Sequence, residues 1–333
     1  MASTRPLVPL SLAFLLAAGC RGGPNPMPDA GQPPELPEGW TALRPLPHGV
    51  GEAAAVELDG KIYVAGGFDT LATFQIYDLA TDTWSDGPAL PNGTDNAGAV
   101  AVGGKVYVFG GEASPAVQVY DVAAGSWSAG PVLPGPRFSS VVELVDGKVH
   151  LAGGWSFDRS NNVSISSHDV FDPAIPGYVA GGAAPALTAR NHACSGVIGG
   201  KLYVTGGRAP GHEGADADNV TATEAYDPPT GAWTPLAPLP TPRSGGASAV
   251  LGGKLYVLGG GLPFNTTHAT VERYDPAADR WEALGDMPSA RTGLRAVAAG
   301  GSLYVLGGFA GSGGVRSGNR GVTEVYRYTP PAP

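Results

Sequence analysis

An all-β chain folded as a six-bladed propeller, four antiparallel strands to a blade, is predicted by three features of the sequence. The first is a glycine pair written six times, at Gly66-Gly67, Gly110-Gly111, Gly153-Gly154, Gly206-Gly207, Gly259-Gly260 and Gly307-Gly308. Their first members lie 44, 43, 53, 53 and 48 residues apart, a period that marks propellers and solenoids rather than separate domains. The second is a two-residue break upstream of each pair: Asp59-Gly60, Gly103-Gly104, Asp146-Gly147, Gly199-Gly200, Gly252-Gly253 and Gly300-Gly301. The third is a ring downstream, at Tyr77, Tyr120, Phe171, Tyr226, Tyr274 and Tyr326, followed seven residues later in the first five repeats by Trp84, Trp127, Tyr178, Trp233 and Trp281.

The elements follow in order. Asp-Gly and Gly-Gly accept the positive φ of a tight hairpin turn, so each break joins strand a to strand b. The glycine pair ends strand b, where the absence of Cβ allows close approach of a neighbouring sheet. The two rings mark strands c and d, and the Asp, Pro, Gly and Ala residues between them are turn chemistry. One such sheet cannot bury both faces alone, and radial stacking of copies solves that problem.

The sixth repeat supplies a test. Seven residues past Tyr326 lies Pro333, the last residue, so strand d of this repeat has to come from elsewhere. Trp40 stands 26 residues before Gly66, the interval separating Trp84 from Gly110 and Trp233 from Gly259, and the run Trp40 to Pro47 matches Trp233 to Pro240. The N-terminal strand is therefore expected to complete the last blade and close the ring. Closure would also bring together two charges on neighbouring blades, Glu52 and Arg295, which are expected to pair across the seam.

A double glycine followed by Tyr and then Trp resembles the kelch repeat, over roughly residues 39 to 330. Departures are His150 for the strand-b tyrosine of blade 3, Tyr178 for a tryptophan, and Arg327 for the Asp after the strand-c ring. The resemblance implies a six-bladed kelch propeller.

Net charge is −9 with no basic run, which argues against nucleic acid as a partner and leaves protein, peptide, glycan or small molecule. Residues 1–19 carry Arg5 and an apolar run from Leu7 to Ala18, the length of a signal peptide and too short to span a bilayer. The run ends in Leu16-Ala17-Ala18-Gly19-Cys20, which resembles a bacterial lipoprotein signal with Cys20 as the lipidated residue. An ordinary secretory signal is the alternative. Residues 20–38 are rich in Pro and Gly and read as a spacer, 39–330 as the propeller and 331–333 as a tail. The expected location is the cell envelope, lipid-anchored, or secreted if the signal is an ordinary one. Cys194 is left without a disulfide partner and reads as a buried small apolar residue.

Candidate site residues fall on the face carrying the b–c loops. Those loops vary in length while the opposite turns are uniformly tight, and variable loops are where binding residues are carried. Sixteen residues before the glycine pairs stand Val50, Thr94, Arg137, Arg190, Arg243 and Arg291. The resemblance implies that these arginines hydrogen-bond loop carbonyls; the alternative is a partial ring of guanidinium forks for an anionic ligand. Directly after the glycine pairs come Phe68, Glu112, Trp155, Arg208, Gly261 and Phe309, expected near the same mouth. His192 with Cys194, and His212-Glu213 with Asp216, Asp218 and Asn219, lack a metal-ligand spacing, and no nucleophile triad or phosphate loop stands out. No metal, cofactor or catalytic residue is therefore assigned. Two functions remain: a lipid-anchored propeller binding or scaffolding a protein, peptide or glycan, and a sugar-processing enzyme similar to the bacterial kelch proteins that epimerise or mutarotate sialic acid. A carboxyl group in the mouth, with Glu112 and Glu213 as candidates, would discriminate them.

Overall fold

The hairpin turns set the frame. Asp59 and Gly60 have φ of 52° and 76°, Gly103 and Gly104 of 60° and 72°, the left-handed pair that a two-residue turn needs to match the twist of its strands. The computed structural model describes residues 35–111, 115–158, 161–175, 183–209, 219–262, 266–311 and 320–331, and residues Leu36–Pro333 form one compact unit.

Blade 1 is built of Ala54–Leu58, Lys61–Ala65, Phe74–Asp78 and Thr83–Asp86, and blade 2 of Gly98–Val102, Lys105–Phe109, Ala116–Asp121 and Ser126–Val132. Blade 3 contributes Val141–Val145, Lys148–Ala152 and His168–Phe171, while its expected fourth strand around Tyr178 lies outside the described residues. Blade 4 comprises Cys194–Ile198, Lys201–Thr205, Thr223–Asp227 and Ala232–Leu236, and blade 5 Ala247–Leu251, Lys254–Leu258, Val271–Asp275 and Arg280–Ala283. Blade 6 takes Arg295–Ala299, Ser302–Leu306 and Val325–Tyr328, and is completed by Trp40–Ala42 from the N-terminal side. The a strands touch in a closed circle, blade 6 returning to blade 1.

Each blade interface has its own apolar cluster. Ile62, Val64 and Tyr77 of blade 1 meet Val297, Leu306 and Val325 of blade 6, and Val100 and Phe109 of blade 2 meet Val149, Leu151 and Phe171 of blade 3. Burying one such side chain contributes about 1.5–3 kcal/mol, so a blade without a neighbour forfeits a whole face. The strand-d tryptophans add a directional link: Trp84, Trp127, Trp233 and Trp281 donate their indole N–H to the carbonyls of Arg44, Pro88, Ala184 and Ala237 in preceding segments, at 2.8–2.9 Å. Cys194 is buried, packed with Tyr203 and Leu239 as a small apolar residue.

The glycine pairs join blades through the backbone. Both members have positive φ, 67° and 116° in the first pair, and a Cβ on Gly66 would stand 2.1 Å from the Thr94 carbonyl of the next blade. The second glycine's N–H donates to that same carbonyl at 3.0 Å, and Gly308 closes the set on Val50 at 2.7 Å.

One assignment changes. In blade 1 Ile62 faces Tyr77, and in blade 6 the corresponding Leu303 faces Tyr328. Trp40 pairs with Tyr328, as Trp84 pairs with Tyr77. Tyr328, not Tyr326, is therefore the strand-c ring of blade 6. Thr329 takes the place of the Asp that follows the ring elsewhere, and its hydroxyl meets Ser302 at 2.8 Å where Lys61 and Asp78 form an ion pair in blade 1. The b–c loop length of this blade hid the two-residue offset.

Candidate functional site: a polar ring at the channel mouth

Fourteen residues before the glycine pairs stand Glu52, Asn96, Ser139, His192, Gly245 and Gly293. All six have left-handed backbone, φ between 50° and 66°. Each donates its N–H to the carbonyl of its counterpart in the adjacent blade: Asn96 to Glu52, Ser139 to Asn96, His192 to Ser139, Gly245 to His192, Gly293 to Gly245 and Glu52 to Gly293, at 2.7–3.0 Å. The result is a closed ring of six backbone hydrogen bonds around the axis. Left-handed backbone at a non-glycine residue costs roughly 1–3 kcal/mol and persists where its surroundings over-determine it; here the two ring bonds at each residue do so.

The ring's side chains form a polar cluster. Ser139 Oγ donates to Asn96 Oδ1 at 2.8 Å and lies 2.9 Å from His192 Nε2, while Arg208 Nη2 lies 2.8 Å from His192 Nδ1. Nδ1 also meets Asn191 Oδ1, so a guanidinium donor and an amide oxygen share that nitrogen. Burial first, then the charges of Arg208 and Arg295, hold His192 well below its usual proton affinity, so its imidazole is neutral. Across the ring, Glu52 Oε2 lies 3.7 Å from Arg295 Nη2. Burial raises the Glu52 carboxyl above its ordinary range even though Arg295 and Arg208 pull it down. Two guanidinium groups, a carboxyl whose proton affinity burial raises and a neutral imidazole thus share the mouth.

Above the ring, the residues after the glycine pairs bond to those fifteen before them. Phe138 pairs with Trp155, Thr292 with Phe309 and Asn191 with Arg208. Trp155 stacks on Phe138 at 5.4 Å, and Phe68 meets Phe309 edge-on at 6.4 Å. Phe309 is buried and fills the space left by Gly51 and Gly293, so it packs the mouth rather than presenting a face. Trp155, Phe68 and Arg208 remain partly exposed. Glu112, Glu213 and Cys20 lie outside the described residues.

Of the two readings of the arginines, the loop-carbonyl role is the one the structure shows, and the alternative ring of guanidinium forks is not formed. Arg190, Arg243 and Arg291 are 2%, 0% and 1% exposed. Each Nη1 donates to the first glycine carbonyl of its own blade, Gly206, Gly259 or Gly307, at 2.9–3.0 Å, and also to a carbonyl of the b–c segment, that of Ala222, Thr270 or Glu324. Their second amino groups meet acids: Arg190 pairs with Glu224 at 2.7 Å and Arg243 with Glu272. Arg137 donates to the Leu151 carbonyl and pairs with Asp169 at 2.7 Å beside a cleft of about 200 Å³. These arginines hold the b–c loops. The sequence contains a signal for this: Asp169, Glu224 and Glu272 stand two residues before the strand-c ring in blades 3, 4 and 5. Blades 1 and 2, which lack the arginine, have Gln75 and Gln118 there. Those amides instead bond the backbone of His48 and Asn92. In blade 6 the position is Tyr326, and Arg291 lies over its ring at 5.1 Å.

Beneath the polar ring runs a channel with a cavity of about 460 Å³, lined by the a strands. Its unforeseen member is Glu143, the single acid in Val141–Val145, which accepts a hydrogen bond from Ser195 Oγ at 2.7 Å. Burial pushes its carboxyl up to about 7. An acid inside an otherwise apolar run was the signal available for it.

A model of the Kelch motif family matches residues 51–91, 189–240 and 242–288. An F-box/kelch-repeat protein of Arabidopsis thaliana is 40% identical over 63 residues, which is 19% of this chain and only 15% of that protein's length. The solved structure of YjhT overlays with a TM-score of 0.72 at 17% identity, covering 85% of this chain and 95% of that one, a likeness of fold.

Proposed function

Starting from a six-bladed propeller that carries kelch motifs, we propose a binding module whose ligand site is the mouth formed by Glu52, His192, Arg208 and Arg295, and whose ligand carries an anionic group. The observation that carries this reading is the convergence of Arg208 and Arg295 on one carboxyl and one neutral imidazole in a chain of net charge −9. Guanidinium groups give charge-assisted hydrogen bonds to carboxylates, and Trp155 and Phe68, partly exposed, follow the glycine pairs of blades 3 and 1. Acidic glycans and sugar acids fit that chemistry. The leader ending in Cys20 supports presentation at the cell envelope on a lipid anchor.

Titration calorimetry with N-acetylneuraminic acid, other acidic sugars and their neutral counterparts tests the site. Acidic ligands are expected to bind, and the pair Arg208→Ala with Arg295→Ala to weaken them more than tenfold with the fold intact by circular dichroism. Equal binding of neutral counterparts, or an unaffected double variant, refutes the reading.

A second reading, a sugar-acid epimerase or mutarotase, is favoured by two groups able to exchange protons in the same mouth, the Glu52 carboxyl, whose proton affinity burial raises, and the neutral His192. Anomer exchange of sialic acid, followed by NMR with and without protein, decides it. Acceleration lost in both Glu52→Gln and His192→Ala supports catalysis, and an unchanged rate with wild-type protein rejects it.

A further inference from the structure

The channel beneath the mouth is two-sided. On blades 3, 4 and 5 it presents Glu143, Ser195 and Ser248, linked in a row: Ser195 Oγ donates to Glu143 Oε1 at 2.7 Å, and the Ser195 N–H donates to Ser248 Oγ at 2.8 Å. On blades 6, 1 and 2 the positions of Ser195 and Ser248 are taken by Ala296, Ala55 and Ala99, while Val297 and Val100, at the position of Glu143, pack into the blade interfaces. The volume of about 460 Å³ lies in the range of small-molecule sites, which combine apolar walls with a few placed polar groups.

Glu143 has no cationic partner among the described residues. What acts on its carboxyl is burial and the Ser195 hydroxyl. Other ionisable groups stand around it without neutralising it. His150, its cross-strand partner, is bonded to His168; Glu57 lines the hairpin end of the channel, and Glu52, His192 and Arg295 line the ring end. A desolvated carboxylate without a counter-charge is unfavourable, and a bound cation relieves it.

We propose that the channel is a second binding site, below the mouth and continuous with it, for a primary ammonium group on a slim apolar chain, with Glu143 as its counter-ion, Ser195 and Ser248 as further acceptors and the alanines of blades 6, 1 and 2 against the chain. An ammonium has three donors to distribute, and the row offers three acceptor groups. A divalent metal is the poorer fit, because hard cations require about six oxygen ligands and the row holds a single carboxylate.

The test uses n-butylammonium and its neutral counterpart n-butanol, titrated calorimetrically into the purified protein at pH 8 and pH 5.5. At pH 8 butylammonium is expected to bind at least tenfold more tightly than butanol, and to weaken at least tenfold at pH 5.5, where Glu143 is protonated. Butanol is expected to bind alike at both. At pH 7, butylammonium binding by wild type should release a fraction of a proton, read as a dependence of the heat on buffer ionisation enthalpy. Glu143→Gln should abolish the ammonium preference and the proton release. Burial also raises the Glu52 carboxyl at the ring end of the channel, so persistence of the pH dependence in Glu143→Gln overturns the assignment. So does equal affinity for butanol and butylammonium, or absence of proton release in wild type, a measurement that stands even if the variant fails to fold.

Discussion

Glu52 and Arg295 form an ion pair across the seam of the ring, Oε2 to Nη2 3.7 Å, joining the first blade to the last. Their side chains are 14% and 26% exposed, so the pair is shielded enough to matter and open enough to respond to a ligand. A double-mutant cycle of Glu52→Gln and Arg295→Met, read by urea unfolding, is expected to show a coupling of about 0.5–1.5 kcal/mol. Additive effects of the two substitutions would mean that the charges do not interact.

Arg243→Ala is expected to destabilise the protein by about 3–5 kcal/mol, because it leaves Glu272 buried and unpaired and frees the carbonyls of Gly259 and Thr270. Arg243→Lys should recover only part, since an ammonium lacks the planar fork that reaches two carbonyls and a carboxylate together. Thermal and urea unfolding check both. A neutral Arg243→Ala would return this arginine to the list of ligand-binding candidates.

Removal of residues 36–47 deletes the strand Trp40–Ala42 and its pairing with Val325–Tyr328, and also the contact of Trp40 with Tyr328 at 4.8 Å. The last blade then ends on an open edge. We expect loss of a single cooperative unfolding transition and concentration-dependent association, measured by calorimetry and by light scattering.

His150 Nδ1 and His168 Nε2 meet at 2.9 Å inside the interface of blades 3 and 4, against Tyr226 and Trp233. Burial holds their imidazoles down to about 4 and about 3, with the Lys148 charge adding to the effect on His150 and His150 itself to that on His168. The unfolded chain therefore takes up protons near pH 6.5 while the folded pair does not. Stability from this pair is present above pH 6.5 and is lost as pH falls toward 3, each pKa unit of depression corresponding to about 1.4 kcal/mol. His150→Tyr, which restores the ring found at this position in the other blades, should make the urea midpoint less sensitive to pH between 6.5 and 4.

Glu143 gives the opposite slope. Its carboxyl is raised from 4.5 to about 7, so the folded state holds a proton that the unfolded chain releases. Its contribution is full below pH 4.5 and is lost as pH rises through 7. Glu143→Gln should flatten the decline in stability between pH 5 and 8 in unfolding measurements.

Local chemistry wrote the blades into the sequence, because hairpin turns, glycine pairs and ring spacings act within a few dozen residues and repeat. Closure by Trp40 was legible for the same reason, its distance to Gly66 being the repeat's own interval, and the Glu52–Arg295 pairing followed from closure. That Arg190, Arg243 and Arg291 bond loop carbonyls was an implication of the repeat; their side-chain partners Glu224, Glu272 and Tyr326, two residues before the strand-c ring, became evident only when the fold brought each arginine to them. The two-residue offset of Tyr328 depended on how many residues the last b–c loop takes up, which strand pairing decides. The tertiary structure alone placed Glu52, Asn96, Ser139, His192, Gly245 and Gly293 in one hydrogen-bonded ring and aimed Glu143 at Ser195. Backbone angle and neighbour at those positions are set by six blades meeting around one axis, a constraint that no single repeat contains.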